Sequence, residues 1–349
     1  LYWLAGVFEE AVAGREHVTF ARIAARMVAA AWYPVVYFRL SLGAADQIGA
    51  CVSYVRERFG IAPDAPEGEI VALVEESDDA GLRSRAGHLC DYVPYRLIRP
   101  FYEGAFAEMR RERGAIRDRD VNPTVLALNR EDPAGAPYRI DGTGSALDVD
   151  PGWAGYFRDN EALVRGWLDM ELVRYLQARN PSVPAIPLKV HRPKKRDLAG
   201  AQSFWRAVVG DHEVRDIYTG EPLGERGFGK LGPLSIDHFV PWSFVLHDEP
   251  WNLAPTFRDV NSSKGDRLPD LGLYLEPFCE LQFDALVTAR ALGGHRKVLE
   301  TYLAIDPHAL EYGRTDAARK SFCSAIRSAV APLHQIALNQ GFGVWEPRV

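Results

Sequence analysis

The sequence predicts an α+β fold that is predominantly α-helical, in which a helical body carries an inserted segment of two strands and a helix. Apolar residues recur at helical spacing over residues 160–179, the clearest such stretch in the chain. Helical patterns return over residues 276–292, 294–304 and 315–339. Between them, residues 234–264 hold two short apolar runs and then a polar helical stretch. These observations together indicate the fold class.

Three regions are expected along the chain. Residues 1–188 form a helical domain, with an irregular insertion near 118–155 where Gly, Pro, Asp and Asn are concentrated. Residues 189–270 form a second domain that begins with a basic segment. Residues 271–349 contribute helices that pack back on the helical body, because three short helices bury little apolar core on their own.

Local signals delimit the N-terminal helices. Thr19 can cap a helix over residues 21–32, and Pro34 interrupts that helix. A second helix over residues 45–59 ends at Gly60, because glycine readily adopts the left-handed conformation found at helix ends. The first part of the chain is therefore expected to be mainly helical.

Two strands and a helix are indicated over residues 234–264. The first strand ends before Pro241, because proline donates no backbone hydrogen bond. Residues 253–257 can form the returning strand. Residues 258–264 then make a short helix that Gly265 closes.

Four polar residues occupy fixed positions in this segment. Asp237 and His238 end the first strand, Asn252 follows His238 by fourteen residues, and Asn261 follows by nine more. In order and spacing the segment resembles the HNH nuclease motif, a ββα-metal finger that hydrolyses phosphodiester bonds. It is also similar to the HNH domain of CRISPR RNA-guided effector nucleases. The resemblance covers residues 215–270.

The resemblance implies a role for each of these residues. His238 is the general base that takes a proton from water, since a neutral imidazole has a pKa near the working pH. Asp237 and Asn261 are the metal ligands, and Asn252 holds the loop and the ring of His238. The expected ion is Mg²⁺ or Mn²⁺, because oxygen donors suit a hard divalent cation.

The segment departs from the family in one respect, the zinc knuckle. Many HNH proteins frame the finger with Cys-x-x-Cys pairs that bind a structural zinc ion, whereas the corresponding stretch here, residues 216–220, has none. The four cysteines, Cys51, Cys90, Cys279 and Cys323, lie far apart in the sequence. Buried free thiols are therefore expected, and a structural zinc ion is not.

Positive charge is concentrated just before and within the finger. The whole chain carries 41 Lys and Arg against 47 Asp and Glu, and this net charge of −6 does not by itself indicate a nucleic-acid-binding protein. A basic run over residues 189–196 includes Lys194, Lys195 and Arg196, which are expected to contact nucleic-acid phosphates. Lys264, on the short helix, is assigned the same role. A solvated surface charge is the alternative for each of them.

A glycine-rich stretch, Gly227 to Gly232, matches the G-x-G-x-x-G pattern of dinucleotide-binding proteins. It neither follows a clear strand nor opens a helix, so the context of a dinucleotide site is missing. A flexible loop before the first strand is expected there.

The function that follows is that of a metal-dependent HNH endonuclease. We expect it to hydrolyse DNA in bacterial defence against foreign DNA, with a targeting or activating protein as a further partner. An RNA-cleaving toxin is one alternative, since the finger contacts phosphates and does not distinguish the sugars of DNA and RNA. A non-catalytic nucleic-acid-binding subunit of a larger defence complex is the other. No run approaches eighteen apolar residues, so no membrane segment is expected. Sparse, unpaired cysteines suit the cytoplasm.

Overall fold

The structure, a computed structural model, describes residues 1–193 and 196–347. In this part of the chain it is an α+β fold in which helices predominate and the strands form two small antiparallel sheets. The predicted fold class is confirmed. The chain divides into two compact units, Leu1–Pro181 with Ile186–Pro193 and Ser182–Ala185 with Lys194–Val349. No helix of the described ranges combines the length and the apolarity that crossing a bilayer requires.

The first unit consists mainly of helices. They are α1 (Tyr2–Val12), α2 (Phe20–Trp32), α3 (Gln47–Phe59), α4 (Glu67–Glu76), α5 (Ala80–His88), α6 (Val93–Ile98), α7 (Glu103–Arg113), α8 (Asp118–Glu131), α9 (Pro151–Asp159) and α10 (Glu161–Arg179). Helix α2 packs against both α1 and α4. Trp3, Phe8 and Trp32 are fully buried in this part of the unit, so its core is rich in aromatic side chains.

The ends of α2 and α3 follow the local signals in the sequence. Thr19 caps α2, and its Oγ1 accepts a hydrogen bond from the backbone N–H of Arg22 at 3.1 Å. Gly60 ends α3 with a φ of 65°. The chain remains helical past Pro34. It continues from α2 into a wider π-helical turn, Tyr33–Tyr37, which has the proline in its first turn.

The structure corrects the expectation of an irregular insertion near residues 118–155. This segment contains α8, the strands β2 (Tyr138–Ile140) and β3 (Ala146–Val149), and the start of α9. Strand β3 lies at the centre of a sheet and pairs antiparallel with β2 and with β1 (His17–Thr19). Strands of three or four residues are too short to show an alternating pattern, and the turns around them supply the Gly, Pro, Asp and Asn residues.

The second unit contains a two-stranded sheet surrounded by helices. Its elements are α11 (Ala199–Asp211), α12 (Glu225–Leu231), β4 (Leu234–His238), α13 (Trp242–Val245), β5 (Leu253–Phe257), α14 (Arg258–Lys264), α15 (Leu271–Leu292), α16 (Arg296–Glu300) and α17 (Asp316–Asn339). The glycine-rich stretch expected to be a loop is largely helical, since it lies in α12. Gly227 is needed there for close packing, because a Cβ atom would lie 2.5 Å from the carbonyl oxygen of Pro222.

The C-terminal helices share their packing with the sheet of the second unit. Helix α15 packs against α11, α17 and β5. The buried Gln282 of α15 donates hydrogen bonds to the carbonyl oxygens of Leu253 at 2.7 Å and Pro250 at 3.3 Å, and accepts one from the Tyr302 hydroxyl at 2.7 Å. The C-terminal helices therefore support the hairpin. Their predicted packing on the N-terminal helices, and the predicted domain boundaries, stay predictions.

Candidate active site

A hairpin followed by a helix forms the frame of the site. Strand β4 pairs antiparallel with β5, with Ile236 opposite Pro255 and His238 opposite Leu253. Strand β5 is buried along its whole length. Helix α14 follows it directly and packs against β4. The two strands and the helix predicted for residues 234–264 are present.

Asp237, near the end of β4, is buried, and each of its two carboxylate oxygens accepts a hydrogen bond. Its side chain is only 2% exposed. The Tyr218 hydroxyl donates to Oδ2 at 2.6 Å, and the Lys264 ammonium donates to Oδ1 at 3.0 Å. The same ammonium donates to the main-chain carbonyl of His238 at 2.8 Å. A buried carboxylate needs such compensation, because an isolated buried charge is strongly unfavourable.

The position of Lys264 corrects the expectation of a phosphate contact. Its side chain is 1% exposed, and its ammonium points at Asp237 and at the backbone of β4. Helix α14 packs across the hairpin, so its last turn directs this side chain inwards. In this arrangement Lys264 stabilises the site and does not present its charge to a ligand.

Tyr218 belongs to a tight turn that occupies the place of the family's zinc knuckle. In this turn Asp216 Oδ2 accepts hydrogen bonds from the backbone N–H of Thr219 at 3.1 Å and from its hydroxyl at 2.7 Å. The Tyr218 ring packs edge-on against Tyr274 and Trp345, each at 5.2 Å between centroids. Burial, and then the charge of Asp237, raise the pKa of Tyr218 well above its ordinary value, so the phenol stays a neutral donor.

Sequence reasoning located this turn but missed Tyr218. The signal available was the Asp-x-x-Thr spacing, which matches that of a Cys-x-x-Cys pair, and here the two side chains close the turn by hydrogen bonds. All four cysteines are free thiols. Among residues 1–193 and 196–347, no group of three or more His, Cys, Asp or Glu side chains is arranged to hold a metal ion. The expected lack of a structural zinc ion stays a prediction.

The His238 side chain is 5% exposed and makes a hydrogen bond that the sequence did not reveal. Its Nε2 atom lies 2.8 Å from Oδ1 of Asp248, a residue of the segment between α13 and the 3₁₀ turn Pro250–Asn252. The Asp248 side chain is 26% exposed. No motif spacing marks this aspartate, so only the folded loop brings it to the ring.

Asn252 holds the loop after His238 but not the ring. Its Oδ1 accepts from the backbone N–H of Val240 and its Nδ2 donates to the Val240 carbonyl, both at 2.9 Å. Phe239 donates its N–H to the Asn252 carbonyl at 2.8 Å. The resemblance gave Asn252 both tasks, whereas in the structure the ring is hydrogen-bonded by Asp248.

Asn261 lies on α14 with its carboxamide turned towards β4. Its Nδ2 atom donates to Ser235 Oγ at 2.8 Å and to the Ile236 carbonyl at 3.0 Å. Within the described residues, no hydrogen bond reaches its Oδ1. The amide oxygen is therefore an available acceptor, and the Asp237 carboxylate has acceptor capacity beyond its two hydrogen bonds. One carboxylate and one amide oxygen fit Mg²⁺ or Mn²⁺, which usually keep water or substrate oxygens as their other ligands.

The structure describes only part of the basic run at residues 189–196. Lys194 and Lys195 lie outside the described residues. Arg196 is exposed, and its guanidinium lies 5.3 Å from the ring centroid of Trp242, the first residue of α13. Lys189, at the start of the run, is fully buried, and burial lowers its pKa to about 7, so it is not part of a surface strip.

An antiparallel hairpin and a helix that bring together an Asp-His pair and two asparagines define a ββα finger of the nuclease type. Residues 216–270 match the family model described as HNH endonuclease, which confirms the resemblance for this segment of the chain. Neither the curated proteins nor the solved structures contain a match. The family assignment therefore covers one part of the second unit.

The buried ion pair gives a testable prediction on stability. Lys264→Met removes the ammonium and leaves Asp237 buried with Tyr218 as its remaining side-chain donor. We expect the free energy of unfolding, measured by urea denaturation, to fall by about 3–5 kcal/mol. Lys230→Met is the matched control, because Lys230 is exposed in its pair with Glu221 and should contribute less than about 1 kcal/mol. Equal losses for the two variants would contradict the role given to the buried pair.

Proposed function

We propose that this protein is a metal-dependent endonuclease that hydrolyses phosphodiester bonds in DNA. The observation that carries the proposal is the placement of Asp237, His238 and Asn261 around one end of the β4–β5 hairpin. The match of this segment to the HNH endonuclease family supports the same chemistry. Phosphodiesters repel nucleophiles through their own charge, so their hydrolysis requires an activated water and nearby positive charge.

His238 is the general base in this proposal, and takes the proton from the attacking water. Its backbone is fixed by the pairing of β4 with β5, by Lys264 and by the Asn252 clamp on the following residues. Asp237 and Asn261 hold Mg²⁺ or Mn²⁺ through their oxygens. The ion supplies the positive charge that offsets the charge developing on the phosphate.

The finer parts of the proposal concern substrate, partner and location. We propose DNA, and foreign DNA in bacteria, because the motif resembles the HNH domain of CRISPR effector nucleases. A targeting or activating protein partner suits a chain with a net charge of −6, which attracts DNA only weakly by itself. A cytoplasmic location suits four unpaired cysteines.

The role of His238 is tested by His238→Ala. We expect cleavage to fall by about 10²–10⁴-fold, because a positioned base contributes that much to the rate. Rates should be measured with Mg²⁺ on plasmid, linear duplex, single-stranded DNA and RNA, which also decides between DNA and the RNA-cleaving alternative. His308→Ala, an exposed histidine of the same unit, is the control and should keep the parental rate. If His238→Ala also cleaves at the parental rate with an unchanged melting temperature, the base is another group.

Metal dependence is tested by chelation. We expect EDTA to abolish cleavage and added Mg²⁺ or Mn²⁺ to restore it. The melting temperature should stay within about 1 °C, because Lys264 and Tyr218 already compensate the buried Asp237 carboxylate. A fall of many degrees on chelation would reveal a structural metal ion, and undiminished cleavage in EDTA would exclude the proposed ion.

The contribution of Arg196 to DNA binding is tested by Arg196→Gln. If its guanidinium contacts a phosphate beside Trp242, the slope of log affinity against log salt should flatten by roughly 0.9 on duplex DNA. The loss should be similar for unrelated sequences. Arg296→Gln, an arginine that is 89% exposed in the same unit, should leave the slope unchanged. An unchanged slope for Arg196→Gln would make the residue a solvated surface charge.

A further inference from the structure

The loop between α13 and β5 is built to present one carboxylate to the His238 ring. Leu246 ends α13 with a φ of 55°, a left-handed conformation that is unfavourable for a leucine and persists only where the surroundings enforce it. Its N–H donates to the Trp242 carbonyl at 2.8 Å. At the other end of the loop, Asn252 donates its N–H to the Glu249 carbonyl at 2.9 Å. Asp248 therefore lies between two residues, Leu246 and Asn252, whose backbone N–H groups are held by hydrogen bonds.

Of the three ionisable residues in the loop, only Asp248 contacts the His238 ring. His247 is occupied, since its Nδ1 accepts from the backbone N–H of Glu249 at 3.3 Å and its ring lies 4.9 Å from that of Trp251. Burial lowers the pKa of His247 to about 4, so it remains neutral beside the pair. Asp248 is therefore the residue of this loop that hydrogen-bonds to the His238 ring, through the 2.8 Å contact between Nε2 and Oδ1.

A neutral imidazole carries one hydrogen, so one of its nitrogens donates and the other accepts. An ionised carboxylate can only accept. The hydrogen of the His238 ring must then lie on Nε2 for the contact with Asp248 to be a hydrogen bond. Nδ1 is left with a free lone pair, which is the requirement for taking a proton from water.

We propose that Asp248 is the positioning residue of this site: it holds the His238 ring in the tautomer and orientation in which Nδ1 acts as the base. The inference rests on the proposed nuclease function. It divides the support of His238 between two residues, with Asn252 fixing the backbone and Asp248 fixing the ring.

The first test is the pair of variants Asp248→Asn and Glu249→Gln. A carboxamide of the same size can turn its NH₂ towards Nε2, which favours the tautomer with the hydrogen on Nδ1 and removes the base. We expect Asp248→Asn to lower kcat by about 10–100-fold, the usual effect of losing a group that orients a histidine, with little change in KM. Glu249→Gln, the neighbouring carboxylate, should keep the parental kcat.

Two further measurements separate orientation from general damage to the fold. Asp248→Asn should cause no additional loss in a His238→Ala background, because the residue acts only through the ring. Nitrogen-15 NMR of the parent protein should show the His238 hydrogen on Nε2, and this readout needs no variant to fold. A hydrogen on Nδ1 in the parent, or equal kcat for Asp248→Asn and parent, overturns the inference while leaving the nuclease proposal in place. A parent that cleaves no nucleic acid overturns the nuclease proposal, and the NMR result then decides the tautomer alone.

Discussion

The site depends on the buried ion pair between Asp237 and Lys264. Two charges that are 2% and 1% exposed are held at 3.0 Å, and each is stable there only because of the other. The pair joins β4 to the last turn of α14, and the Tyr218 hydroxyl joins Asp237 to the turn at residues 216–220. Three separate stretches of the finger are therefore joined at one carboxylate.

The frame around this pair extends into the C-terminal part of the chain. Trp345 packs on the Tyr218 ring and donates from its indole to Ser263 Oγ at 3.2 Å. Leu268 and Val344 form a parallel bridge just beyond α14. Val344 and Trp345 thus contribute to the position of Asp237, although both lie beyond the matched segment 216–270. A segment cut at residue 270 would lose these contacts.

The sequence predicts an element correctly where the signal comes from neighbouring residues. The two short apolar runs, Pro241 and Gly265 predict β4, β5 and α14, because a hairpin and its following helix are set by neighbouring residues. The sequence places Lys264 on the short helix, but a helical period does not say which face packs inwards, so it does not predict that Lys264 is buried. Asp248 reaches His238 only through a loop whose conformation includes a left-handed leucine, and no residue spacing encodes that. Strands β2 and β3 are too short to show an alternating pattern, and the second partner of β3, strand β1, is more than a hundred residues distant in the sequence.

The proposed function requires a cation site formed by Asp237 and Asn261, with His238 as the base. The most direct measurement is a crystal structure with Mn²⁺, located by its anomalous scattering. We expect a peak within about 2.0–2.4 Å of one Asp237 carboxylate oxygen and of Asn261 Oδ1, the range expected for oxygen ligands of such ions. A peak bound elsewhere in the finger, or none at a saturating concentration of Mn²⁺, would contradict it.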